Sequence, residues 1–210
     1  MALARSRHPY RFTQAEYLAF ERASTARHEY IDGILYALDD WDSPQAMAGE
    51  SEAHGYIAGN LFAALHAHLR GGSCSVFTKD IKVRCGPYRA ESREGFYAYP
   101  DVVVVCGERQ YHDQAKDVLL NPTLLIEVLS PSTAGYDRGE KFQGYRRYLP
   151  PLTTYLLVAQ DQPAIDLYLR EGERWLLHTV EGLDAHLHVA ALDWTVALAD
   201  IYERVVFPTA

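Results

Sequence analysis

Two short segments carry the residues best placed to do chemistry. Tyr99-Pro100-Asp101 leads into Val102-Val103-Val104-Val105, and Leu124-Leu125-Ile126-Glu127-Val128-Leu129 follows Asn121-Pro122 and stops at Ser130-Pro131. Each reads as a strand buried on both faces, because proline opens an extended stretch and an unbroken apolar run needs cover on either side. Side chains alternate across a strand, so Leu125, Glu127 and Leu129 share one face while Leu124, Ile126 and Val128 take the other. Glu127 is therefore an acid set in an apolar strand, where an unpaired carboxylate is costly or stays protonated. An arginine such as Arg84 or Arg138 would neutralise it. A divalent cation shared with Asp101 would neutralise both acids at once, and two carboxylates ending neighbouring strands repel each other without one.

The elements around these strands follow from pattern. Thr13 and Glu16 stand in capping-box spacing at the head of a helix, and Asp32-Gly33 between two β-rich runs predicts a tight hairpin over His28–Leu38. Trp41 to Gly49 reads as loop. From about Glu50, the residues Ile57, Leu61, Leu65 and Leu69 recur at helical spacing, and Gly71-Gly72 ends that helix. Val76 to Cys85 alternates as one strand, with Gly86 to Gly95 a polar loop after it. Beyond the two acid-bearing strands, Asp137 and Glu140 form a second capping-box pattern opening a helix with the stripe Phe142, Tyr145, Leu149, stopped at Pro150-Pro151. Thr154 to Ala159 is a buried strand. Ile165 to Thr179 forms a hairpin turning at Glu171-Gly172, Gly182 to Leu192 adds one more strand, and Ala197 to Tyr202 closes as a helical turn. The expected class is α/β, a mixed α+β sheet covered by helices.

Composition bounds the rest. With 210 residues, 48% hydrophobic and 23% charged, the chain holds one domain with a real core. Its parts would be an N-terminal extension over 1–49, a core over 50–160 and a C-terminal β extension over 161–210. No apolar run reaches membrane-spanning length and the first residues lack a secretory pattern, so a cytoplasmic location is expected. Cys74, Cys85 and Cys106 lack zinc-ligand spacing and read as buried small hydrophobes in a reducing compartment. Twenty Lys and Arg against 28 Asp and Glu give a net charge of −8, the wrong sign for a nucleic-acid partner as a total. Basic residues are nonetheless clustered locally, at Lys79, Lys82 and Arg84 and again at Arg138, Lys141, Arg146 and Arg147.

Pro100-Asp101, then Glu127-Val128-Leu129-Ser130-Pro131-Ser132-Thr133, then Asp137-Arg138-Gly139-Glu140-Lys141-Phe142 with Tyr145-Arg146, resembles the Uma-two family of putative restriction endonucleases, a branch of the PD-(D/E)XK nuclease superfamily. The resemblance covers nearly the whole chain, including the early Arg27-His28-Glu29-Tyr30-Ile31-Asp32-Gly33 hairpin. It implies a restriction-endonuclease-like core in which Asp101, Glu127 and the main-chain carbonyl of Val128 bind Mg2+ or Mn2+, and a DNA substrate. One position departs from the superfamily pattern: Leu129 stands where a lysine belongs. Lys141 on the following helix replaces it as the expected catalytic cation, its stem along the Phe142 and Tyr145 stripe.

Further candidates are His54 and Glu52, with Glu29 and Asp80 weaker still. Glu52 reads first as a favourable acid at a helix N-terminus, and His54 as either a partly buried histidine or a contact to the site. Arg138 and Arg146 are candidate phosphate contacts. The fifteen tyrosines are assigned to cores or to a homodimer interface on the hairpins rather than to base stacking. Two rival functions remain in view: a catalytically inactive DNA-binding or regulatory module on the same fold, and a hydrolase of smaller phosphoesters, which the acidic balance would suit.

Overall fold

The computed structural model describes residues 10–38, 51–131 and 133–208. The Trp41–Gly49 loop and the Glu50 helix start expected above lie outside them.

α1 (Gln14–Ala23) begins on the expected capping box: Glu16 N–H donates to Thr13 Oγ1, and Thr13 N–H donates back to Glu16 Oε2. β1 (His28–Ile31) and β2 (Ile34–Ala37) form the expected hairpin, and Asp32 and Gly33 at φ 46° and 88° take the two left-handed positions of its turn. α2 (Glu52–Leu69) is capped by Ser51, whose Oγ accepts from His54 N–H, and ends at Gly71, φ 79°.

β3 (Cys74–Thr78) and β4 (Lys82–Cys85) correct the single strand expected over 76–85. The chain turns at Lys79–Asp80–Ile81, and the halves enter different sheets. β3 packs Cys74 and Val76 on one core and Phe77 on the other, and the alternation carries on through Ile81, Val83 and Cys85 on the second core, so periodicity alone could not reveal the break. β5 (Phe96–Ala98) was not anticipated. β6 (Val102–Cys106) and β8 (Leu124–Leu129) are the expected acid-bearing strands, with β7 (Val118–Leu119) between them in sequence.

α3 (Ala134–Tyr136) runs into a widened π turn over Asp137–Lys141 and then into α4 (Phe142–Tyr148). The capping box expected at Asp137 does not form. The helix is already under way by then, since Ala134 N–H reaches Ser130 O and Asp137 N–H reaches Thr133 O. β9 (Thr154–Ala159), β10 (Ala164–Glu171) and β11 (Arg174–Glu181) follow as expected. The tail holds two short strands rather than one, β12 (His186–Val189) and β13 (Trp194–Ala197), before α5 (Leu198–Ile201).

A six-stranded sheet runs β11-β10-β9-β8-β6-β3, with β8 and β9 parallel and the other pairs antiparallel. A five-stranded sheet runs β2-β1-β5-β4-β7. Ile57, Leu61 and Leu65 of α2 pack with Leu124, Ile126 and Val128 on one face of the large sheet. On its other face Leu125 and Leu129 meet Phe142 and Tyr145 of α4 and the small sheet's Val83, Cys85, Phe96 and Ala98. The two faces of β8 are thus the two predicted from alternation, and the mixed α+β class holds.

Cys74 and Cys106 correct a further expectation. They stand opposite each other in the β3–β6 ladder, which brings their sulfurs together as a disulfide, and only Cys85 is a free buried thiol.

Candidate active site

β6 and β8 are antiparallel neighbours with Val102 opposite Ile126, so Asp101, one residue before β6, lies at the end of the ladder beside Glu127. The two residues stand opposite each other in register, close enough for the Asp101 carboxylate to raise the proton affinity of Glu127. Val128 N–H donates to Asp101 Oδ2 at 2.7 Å, and His54 Nε2, from the first turn of α2, donates to Asp101 Oδ1 at 3.0 Å.

Lys141 reaches the site from the π turn. Its Nζ lies 2.9 Å from Glu127 Oε1, 3.0 Å from Glu29 Oε1 and 3.5 Å from Asp137 Oδ1. Asp137 and Lys141, four residues apart, share one face of this helix, and single π turns such as this one recur at functional sites. The carbonyl of Asp137 is satisfied by Tyr155 Oη at 3.1 Å, and Tyr145 Oη donates to Glu127 Oε1 at 3.0 Å.

Neither Arg84 nor Arg138 neutralises Glu127. Arg84 bonds Gly86 O and His112, while Arg138 is on the surface, ion-paired with Asp166 of β10. Arg146 is exposed on α4, and Glu52 is an exposed first-turn acid of α2. Asp80 is exposed at the β3–β4 turn near Arg27.

Glu29, a weaker candidate by sequence, is 1% exposed and in the cluster: β1 pairs with β5, and Glu29 Oε1 accepts from the Tyr99 N–H two residues before Asp101 as well as facing Lys141. The signal that singled out Glu127, an acid among apolar neighbours in a strand, was weaker at Glu29, which follows Arg27 and His28. Asp137, Tyr145 and Tyr136 were missed as members of the cluster. For Asp137 the clue was its four-residue spacing from Lys141.

Three buried carboxylates therefore surround one ammonium, with Asp101 beside them on His54 and the Val128 amide. Burial and the neighbouring acids push Glu127 well above the usual carboxylate range despite Lys141, and burial likewise raises Asp137. For Asp101 burial acts in the same direction, but His54 and the Val128 amide outweigh it and hold the group low. Burial opposes the Lys141 charge, yet Glu127, Glu29 and Asp137 together keep it well above the ordinary lysine value. Carboxyl groups with diverging affinities for a proton in one site are the arrangement from which acid and base roles are drawn.

The donor set fits a divalent cation of the hard kind. Mg2+ takes one or two carboxylates and fills its remaining positions with water and phosphate, and Asp101 and Glu127 offer that pair where negative charge exceeds what Lys141 neutralises. The fit is to such an open site. Among the described residues no three His, Cys, Asp or Glu side chains form a closed metal cage.

A family model described as "Putative restriction endonuclease", Uma2, matches residues 14–199. Two proteins of Synechocystis sp. (strain ATCC 27184 / PCC 6803 / Kazusa) are similar along most of their length. Uncharacterized protein slr1290 is 34% identical over 91% of this chain and 92% of its own. Uncharacterized protein sll1609 is 34% identical over 83% of this chain and 90% of its own. The crystal structure of a putative nuclease belonging to DUF820 from Anabaena variabilis ATCC 29413 shares the fold, with a TM-score of 0.69 over 93% of this chain and 99% of that one at 15% identity.

Proposed function

Because the chain belongs to the Uma2 family of putative restriction endonucleases, we propose that it is a divalent-metal-dependent endonuclease hydrolysing phosphodiester bonds of DNA. The observation that carries this reading is the Lys141 ammonium 2.9 Å from Glu127. The cation absent from Leu129 on the strand arrives from the next helix.

Asp101 and Glu127, with the carbonyl of Val128, would hold Mg2+ or Mn2+, which supplies Lewis-acid polarisation of the phosphate and a more acidic water. The protein's own part is positional and electrostatic. His54 and the Val128 amide fix Asp101 in its ionised form. Lys141, kept protonated by three carboxylates, is unsuited to act as a general base and serves as a fixed positive charge for the attacking water and the phosphate oxygens. Its contact to Asp137 is the longest of the three, which makes that N–H the one most readily given to substrate.

Supercoiled plasmid incubated with Mn2+ or Mg2+ tests the proposal. Wild-type protein should nick it only with metal present, and Asp101→Ala should not. Binding without cleavage would favour the inactive regulatory module instead. Hydrolysis of a small phosphoester with no action on plasmid would favour the third reading.

A further inference from the structure

Beside the Lys141 cluster a half-open cavity of about 220 Å3 lies between the β1–β2 turn, the head of β5 and the helix of the π turn, with Phe96, Tyr136, Glu140, Gln143 and Tyr148 among its walls. Three of these are aromatic rings. Many tyrosines of the chain are spent in the interior, Tyr17, Tyr30, Tyr97, Tyr145 and Tyr155 being fully buried, whereas Tyr148 is 38% exposed. Arg147, which also borders the cavity, lies over the Tyr148 ring at 5.0 Å. Gly144 allows the close approach of helix to β5, since a Cβ there would meet the Phe96 ring at 2.7 Å.

The Tyr136 hydroxyl is buried yet has no hydrogen-bond partner among the described residues. A hydroxyl in that state is costly and calls for an explanation. Its ring lies 5.8 Å from Lys141 Nζ, so Tyr136 borders both the cavity and the proposed catalytic cation. Pockets for drug-sized ligands run to about 300–1,000 Å3; this smaller one suits a single planar ring system.

Resting on the nuclease reading above, we propose that the cavity seats one nucleobase of the substrate next to the bond that is cut. The base stacks on the Tyr148 and Phe96 side, and Gln143, Glu140 and Arg147 offer donors and acceptors to its edge. A base held there has left the helical stack, so a duplex substrate is opened locally at the site.

Isothermal titration of the full chain with Mn2+, using deoxynucleoside 5′-monophosphates against 2-deoxyribose 5-phosphate, tests this. The nucleotides should bind roughly tenfold or more tightly, the advantage expected of one stacked base. Tyr148→Ala should remove that advantage and leave sugar-phosphate affinity unchanged. Gln143→Trp, which fills the cavity from an exposed helix position, should do the same and serves if Tyr148→Ala does not fold. Equal affinities in the wild type, or an advantage surviving both substitutions, overturn the base pocket. Plasmid nicking measured in parallel separates the two claims: nicking without base preference removes only the pocket, and base preference without nicking removes only the nuclease reading.

Discussion

Lys141 Nζ and Glu127 Oε1 stand 2.9 Å apart although the residues belong to a strand and to the helix after it, and both are buried. Removing one member of a buried ion pair leaves the other uncompensated, at a typical cost of about 3–5 kcal/mol. Lys141→Met should lower stability in denaturant titrations, less so near pH 4 where the acids take up protons. Added Mn2+ should restore more stability to this variant than to the wild type. Turnover should fall about 10²–10³-fold, the size of losing one charge-stabilising donor; unchanged turnover in the folded variant removes Lys141 from the mechanism.

Glu127→Gln should act in the opposite sense. The folded state binds the Glu127 proton more tightly than the unfolded chain does, so ionisation penalises the fold as pH rises above the ordinary value of about 4.3. The variant should therefore gain stability over the wild type in metal-free buffer at pH 7, and the gain should disappear below about pH 4. It should also lose the rise in melting temperature that Mn2+ gives the wild type. A loss of stability with that metal response intact would make Glu127 structural.

The expectations met and missed divide along the range of the interactions involved. The Thr13 and Glu16 cap, the Asp32-Gly33 turn and the two faces of β8 are local, and residue type and spacing sufficed for them. Glu29 enters the site only through the pairing of β1 with β5, across more than sixty residues of chain, and no local pattern encodes that pairing. The same holds for the parting of β3 from β4 and for the Cys74–Cys106 bond, which depends on strand register. The π turn was hidden because Asp137 and Glu140 fit a helix start as well as a helix interior.

His54 touches the site through Asp101 Oδ1 at 3.0 Å, as a partner that orients a metal-binding carboxylate. Such partners typically account for 10–100-fold in metal affinity. His54→Ala should weaken Mn2+ binding by about that factor in a calorimetric titration, whereas a wild-type affinity would leave it a helix-end histidine only.

Away from the site, Asp117 offers a pH test of the structure itself. Burial works to raise this carboxyl, but hydrogen bonds from Arg22 and Lys82 hold it down at about 2. A depressed acid stabilises the fold above its unfolded value of about 3.9 and loses that contribution as pH falls through the folded one. Because the group is partly solvated, Asp117→Asn should cost about 1 kcal/mol at pH 7, with the difference from wild type vanishing toward pH 2. A constant difference across that range would contradict the ion network.

The widened turn at Asp137–Lys141 makes the helix carry a residue more than regular winding needs. Each α-helical residue advances the chain by about 100°. Loss of a single codon there would yield a smoother, better hydrogen-bonded helix and at the same time swing the downstream Phe142 and Tyr145 out of phase with Asp137. A mutational path toward local regularity thus leads away from the charge cluster, and the least regular turn of this helix is the one that selection for catalysis would have to defend.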